Sequence, residues 1–169
     1  SKEMVLYNSD NHNFTPTGYN CIYPSLCIEG GILFGSENII FRYNYKSRTM
    51  DSIYICQKKN LDISEYRIQK MVQLKKNKIL IGTKEQGIYL YDCCTQQLTR
   101  FTSDIHHLLI SLYVVSDKYV YASFYGNGIY CYNQDGKIVK SYTSKTSSLN
   151  NNYVLDIIEH KGQLWIATD

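Results

Sequence analysis

The sequence has little of what membrane-spanning, disordered and nucleic-acid-binding proteins need. No apolar run approaches the ~18–20 residues of a membrane-spanning helix, and no signal-peptide hydrophobic stretch opens the sequence. Proline occurs only twice, whereas 44% of the 169 residues are apolar, and this composition excludes an intrinsically disordered chain. The net charge of +3 comes from interspersed residues of both signs, so we expect neither nucleic acid nor a membrane as a partner.

Motifs for metal binding and catalysis are also lacking. None of the six cysteines shows the CxxC spacing of a zinc or thioredoxin-type site, so we expect free thiols, no metal and no cofactor. The cysteine pattern does not indicate whether the protein resides in an oxidising or a reducing compartment. The chain has no GxSxG, HExxH, phosphate-binding or dinucleotide-binding motif, and its carboxylates are scattered. We therefore expect that this segment is not an enzyme.

Tyrosine, in contrast, occurs 17 times, and a tyrosine-rich chain with little proline favours strands over helices. Two sets of markers repeat along the chain. Small residues recur at intervals of 47, 40 and 45 residues, at Gly35, Gly82, Ala122 and Ala167. A tyrosine followed by Asn or Asp recurs at intervals of 36, 48 and 41 residues, at Tyr7, Tyr43, Tyr91 and Tyr132. A period of forty-odd residues is typical of β-propeller blades.

The clearest copy of the repeat predicts four antiparallel strands. These are Arg67–Leu74, Lys78–Thr83, Gly87–Asp92 and Gln97–Thr102, which we call strands A to D of a blade. Strand B is apolar on both faces, as expected of a strand covered on both sides. The small residue late in strand B would allow the backbones of neighbouring blades to approach each other. The fold class is therefore all-β, with about four blade equivalents.

The repeat also predicts the blade boundaries. Residues 19–63, 64–104 and 105–147 each form a blade, residues 1–18 supply strands C and D alone, and residues 148–169 supply strands A and B alone. Three arrangements follow. The segment is part of a larger ring, which we favour, or it closes as a four-bladed ring, or two copies join in one eight-bladed ring. An open arc leaves apolar blade faces uncovered, so the first and third arrangements predict self-association.

The last copy, Ser148–Asp169, reads SLNNNYVLDIIEHKGQLWIATD. It resembles the repeat of the two-component regulator propeller family, in which a Ser-Leu segment leads into a strand and a Leu-Trp-Ile-Gly-Thr strand follows. Here Ala167 replaces the glycine. The resemblance implies a periplasmic or extracytoplasmic sensor region that binds a ligand, typically a glycan fragment. It also implies that the signal passes to a histidine kinase outside this chain.

Ligand-binding side chains are expected on the loops that join strand B to strand C and strand D to the next strand A, because these loops share one face of a propeller. One B–C loop supplies Lys84 and Glu85. The next is one residue longer and supplies Phe124, Tyr125 and Asn127, whose rings and amide suit a sugar. Alternatively, Phe124 packs against the neighbouring blade and Tyr125 has no role. A D–A connection supplies two further candidates, His106 and His107.

Two other functions remain open at the level of sequence. A protein-interaction scaffold would show a large apolar patch on the loop face instead of a polar concavity with aromatic side chains. A propeller-fold hydrolase or lyase acting on carbohydrate would place two carboxylates, or a histidine and a carboxylate, across the channel.

Overall fold

Strands make up nearly all of the regular structure in a computed structural model, which describes residues 3–20, 24–56, 62–102, 107–116 and 118–169. Among these residues the helical structure is a short 3₁₀ helix, Ile63–Tyr66. The strands are Glu3–Asn8 (β1), Asn13–Asn20 (β2), Ser25–Ile28 (β3), Gly31–Gly35 (β4), Ile39–Asn44 (β5), Thr49–Tyr54 (β6), Ile68–Lys75 (β7), Lys78–Thr83 (β8), Ile88–Asp92 (β9), Gln97–Arg100 (β10), Leu109–Val115 (β11), Tyr119–Phe124 (β12), Gly128–Tyr132 (β13), Ile138–Tyr142 (β14), Val154–His160 (β15) and Gln163–Thr168 (β16).

Consecutive strands pair antiparallel in separate sheets, which confirms the all-β propeller architecture. Three sheets have four strands each: blade I (β3–β6), blade II (β7–β10) and blade III (β11–β14). The first half-sheet is β1–β2 and the second half-sheet is β15–β16. The predicted strands of blade II agree with the structure within one or two residues. Strand D ends early because Phe101 and Thr102 turn inward, where they are only 7% and 2% exposed.

The Asn or Asp that follows each marker tyrosine has a structural role in the turn between strands C and D. Its side-chain oxygen accepts hydrogen bonds from backbone N–H groups two to four residues later in the chain. Asp92, for example, accepts from the N–H of Cys94 at 2.9 Å and that of Thr95 at 3.1 Å, and these bonds lower its pKa. The same arrangement occurs in three other sheets, namely the first half-sheet, blade I and blade III, at Asn8, Asn44 and Asn133.

The core lies between the blades. A cluster between blades II and III includes Leu80, Leu109 and Tyr132, which are at most 1% exposed. A neighbouring blade does come close at Gly82, but through a side chain and not through its backbone as predicted, because a Cβ added there would lie 2.1 Å from Cδ2 of Leu109. A Cβ at Gly35 would lie 2.9 Å from Ile68 of blade II.

The second half-sheet docks on blade III through one partly buried and one buried side-chain hydrogen bond, as well as through apolar contacts. Ser111 Oγ donates to Asp156 Oδ1 at 2.9 Å, and Ser123 Oγ donates to the carbonyl of Val154 at 3.1 Å. The two half-sheets are not hydrogen-bonded to each other. The described strands therefore form an arc of blades, and the four-bladed closure through β16 and β1, one of the three arrangements considered above, does not occur in this structure.

Candidate functional site

Backbone hydrogen bonds join the B–C loops to the segments that precede each strand A. Lys84 N–H donates to the carbonyl of Arg67 at 2.7 Å, and Leu109 N–H donates to the carbonyl of Lys84 at 2.9 Å. In blade III, Tyr125 N–H donates to the carbonyl of Leu108 at 2.9 Å. These bonds place the connecting loops of blades II and III on one face, which we call the loop face. The strands hold the positions of its side chains.

Two tyrosines form an exposed pair on the loop face. The rings of Tyr125 and Tyr153 meet edge to face, with centroids 4.8 Å apart and planes at 76°. Their side chains are 58% and 40% exposed. Gly126 has a φ of +69°, and a Cβ there would lie 3.6 Å from the Tyr153 ring, so the glycine conformation sets the turn beneath the pair. Tyr125 thus lies at the surface, and its role as a ligand-binding residue stays a prediction.

Sequence reasoning did not name Tyr153 as a candidate, although it stands within the last copy of the repeat. Its N–H donates to Asn151 Oδ1 at 2.9 Å, and its carbonyl accepts from Asp169 N–H at 3.0 Å. These bonds hold the residue just before β15, in the position that Leu108 occupies before β11. An aromatic residue immediately before a predicted strand A is the signal that could have identified it.

Phe124 does not belong to the site, and its assignment as a ligand-binding residue was wrong. It is the last residue of β12, is completely buried and packs edge to face on Tyr130 at a centroid distance of 5.7 Å. Phe124 instead belongs to the apolar cluster between blades II and III, in agreement with the alternative that it packs against a neighbouring blade. Asn127 shapes the loop, because its Nδ2 donates to the carbonyl of Tyr125 at 2.8 Å. The side-chain amide of Asn127, which was expected to hydrogen-bond sugar hydroxyls, therefore already donates to the backbone of its own loop.

A polar cluster occupies the loop face of blade II. Lys84 Nζ and Glu85 Oε1 form an ion pair at 3.0 Å, with side chains 26% and 37% exposed. Beside them, Gln86 Nε2 donates to Glu65 Oε2 at 2.6 Å. Sequence reasoning missed Glu65 and Gln86, whose contact spans 21 residues of sequence. His107 is exposed in the D–A connection of blade III.

The remaining expectations concern His106, the cysteines, a metal site and a membrane-spanning helix. His106 lies outside the described residues. Cys27, Cys56, Cys93, Cys94 and Cys131 are free thiols. Within the described ranges, no group of three or more His, Cys, Asp or Glu side chains could hold a metal ion. No helix in that part of the chain is long and apolar enough to span a membrane.

Comparison with known proteins agrees with this architecture. Residues 148–169 match the two component regulator propeller family. The match confirms the resemblance over the copy of the repeat on which it was based. Among curated proteins, none matches the sequence.

Solved structures show the same fold. An extracellular domain assigned to the hybrid two component system BT4673 from B. thetaiotaomicron superposes with a TM-score of 0.76 at 19% identity, covering 99% of this chain and 24% of that chain. The corresponding domain of BT3049 from the same organism has a TM-score of 0.69 at 21% identity, with 92% and 21% covered. PorZ of Porphyromonas gingivalis, a surface component of the type-IX secretion system, has a TM-score of 0.71 at 16% identity, with 99% and 28% covered. The chain thus spans about a quarter of these structures.

Proposed function

We propose that this propeller segment belongs to a periplasmic or otherwise extracytoplasmic sensor that binds a glycan on its loop face and passes the signal to a histidine kinase. Two findings support the sensor part of the proposal. Residues 148–169 match the repeat of the two component regulator propeller family, and structural neighbours include extracellular domains assigned to two-component systems.

The observation that carries the glycan part is the exposed pair Tyr125 and Tyr153. A sugar presents C–H groups on one face, and these groups stack on the face of an aromatic ring. The two rings are perpendicular, so the pair offers a ring face and a ring edge on adjacent sides. The backbone bonds of the loop face hold both residues, which reduces the conformational entropy lost on binding.

The polar side chains elsewhere on the loop face favour a small ligand over a protein partner. The loop face carries the Lys84–Glu85 ion pair, the Gln86–Glu65 hydrogen bond and the exposed His107. A polar surface with a few aromatic side chains is typical of a sugar site, whereas a scaffold would show a larger apolar patch. The proposal assigns no catalytic step to this segment.

Substitution of the pair tests the glycan part. Tyr125→Ala and Tyr153→Ala should each weaken binding to an oligosaccharide array by at least about tenfold, since each removes a stacking surface. Tyr54→Ala is the matched control, because Tyr54 is 50% exposed on the outer strand of blade I. Binding that all three variants retain, or an array on which the unmodified chain binds nothing, would contradict the proposal.

The kinase part has a separate test in the gene. The reading frame around these residues should encode a membrane-spanning helix and a histidine kinase in the same polypeptide. A reading frame without them would contradict the signalling role. It would not bear on the glycan site, which the oligosaccharide array tests separately.

A further inference from the structure

A crevice of about 320 Å³ lies between blade II and the turn that joins the third and fourth strands of blade III. Three apolar side chains of blade II line it, namely Leu74, Leu90 and Phe101, and the first and last of these are only 2% and 7% exposed. Lys75 and Lys78 also line it, at the ends of β7 and β8 that are remote from the loop face. The crevice is therefore separate from the site proposed above, and its volume suits a small molecule.

Contacts between the two blades fix the walls of the crevice. Gln134 Oε1 accepts a hydrogen bond from Lys75 Nζ at 3.0 Å, and this bond links turns of the two blades across 59 residues of sequence. Gly136, with a φ of +77°, has no space for a Cβ, which would meet the carbonyl group of Phe101. Within the turn, Asn133 Oδ1 accepts from the N–H groups two and four residues later, at 3.0 and 2.9 Å. A ligand would thus meet walls that are already in position, which reduces the entropy lost on binding.

Two lysines of the lining stand side by side. Lys75 and Lys78 are directly paired in the register of β7 and β8, and like charges in such a pair repel each other. An anion bound between them would relieve this repulsion. Lys75 can keep its bond to Gln134 and still bind an anion, because an ammonium group carries three N–H donors.

The other charged groups leave these two lysines as the groups that an anion would meet. The guanidinium of Arg100, which also borders the crevice, donates through Nη2 to the Tyr89 hydroxyl at 3.1 Å. Asp135 supplies a carboxylate, so the described lining carries three positive charges and one negative charge. Asp92 stands opposite Lys78 in the register, but it is not part of that lining and its Oδ1 accepts two backbone N–H groups.

We propose that the crevice binds a small organic anion in which one carboxylate is attached to a compact apolar group. The carboxylate oxygens accept hydrogen bonds from Lys75 Nζ and Lys78 Nζ, and the apolar group covers the buried side chains of blade II. The lining favours a single carboxylate over a dianion such as a phosphate monoester, because Asp135 repels a second negative charge.

A titration with phenylacetate tests the proposal, since this acid joins one carboxylate to one aromatic ring. Amide proton–nitrogen NMR spectra of the chain should show saturable shifts for residues 74–78 and 133–137, with a Kd below about 10 mM. Phenylacetamide has the same shape without the charge, and acetate has the charge without the ring. Each should bind at least about fivefold more weakly than phenylacetate.

Charge variants of the chain give a second test. Lys75→Gln and Lys78→Gln should each weaken the binding of phenylacetate by at least about fivefold, because each removes a charge-assisted hydrogen bond. Lys145→Gln is the matched control and should leave the Kd unchanged, since Lys145 is exposed in the connection between β14 and β15 on the loop-face side. Asp135→Asn should tighten binding by about twofold or more, because it removes the repelling carboxylate.

Three results would overturn the proposal. The first is phenylacetate that shows no saturable binding at concentrations up to about 10 mM. The second is an unchanged Kd in both lysine variants, or phenylacetamide that binds as well as the acid. The third is binding of an acidic peptide, four glutamates around a central phenylalanine, by a chain that does not bind phenylacetate. That result would assign the crevice to a protein partner instead of a small molecule.

Discussion

The tight contact at Gly82 predicts a measurable cost for adding a single methyl group between two blades. In Gly82→Ala the new Cβ would lie 2.1 Å from Cδ2 of Leu109, a side chain that is 1% exposed. Ordinary carbon contacts are ~3.5–4.0 Å, so Leu109 would have to move by about 1.5 Å. Overpacking of this kind costs ~1–3 kcal/mol, and replacing glycine in a strand recovers ~0.5–1 kcal/mol. We expect a net loss of about 1–2 kcal/mol in the free energy of unfolding.

Urea unfolding of the chain, followed by circular dichroism, measures this loss as a lower midpoint with an unchanged slope. Leu109→Val supplies the matched test, because valine has no Cδ atom at the point of conflict. Alone, Leu109→Val should cost about 1 kcal/mol, but in the Gly82→Ala background it should cost nothing or restore stability. Strictly additive losses, or a Gly82→Ala variant as stable as the unmodified chain, would refute the argument that blades II and III meet at Gly82.

Two further predictions concern buried tyrosines. Tyr132→Phe should raise stability by up to about 1 kcal/mol, because the buried hydroxyl has no hydrogen-bond partner within the described residues. Tyr91→Phe should likewise leave stability unchanged or raise it, because the buried Tyr91 hydroxyl also has no hydrogen-bond partner within the described residues. A lower urea midpoint for either variant would contradict this prediction. Burial, with a hydrogen bond to Cys56, raises the pKa of Tyr66 to about 12. The unfolded chain should therefore lose this proton first, so the contribution of Tyr66 to stability should be constant below pH 10.0 and fall from there toward pH 12. Tyr66→Phe should remove part of that fall in alkaline unfolding curves, and an unaltered curve would contradict the assignment.

The strand pattern of blade II was predictable because each local signal agreed with the others. Alternating and continuous apolar stretches marked the strands, and turn residues separated them. The recurrence of the marker tyrosine was also visible in the sequence, but the physical reason for a tyrosine at this position was not. Tyr91 and Tyr132 are buried between blades, and the Asn or Asp after each accepts the N–H groups of the next turn.

The candidate site was less predictable because its residues meet through the tertiary fold. Phe124 and Tyr125 are neighbours in sequence, yet one ends a buried strand and the other begins an exposed loop. Tyr153 reaches Tyr125 across 28 residues of sequence, and no local pattern records that contact. The same holds for Glu65 and Gln86, which are joined by a hydrogen bond between two loops.

The sequence by itself determined the period, the four-stranded unit and the small residue where blades approach, since all three follow from local spacing and from side-chain size. Only the tertiary structure decided which side chains of each unit face a neighbouring blade and which face solvent. Burial depends on whether another blade covers the position. Tyr132 and Tyr125 both belong to blade III, but Tyr132 packs against blade II and is 1% exposed, whereas Tyr125 lies on the loop face and is 58% exposed.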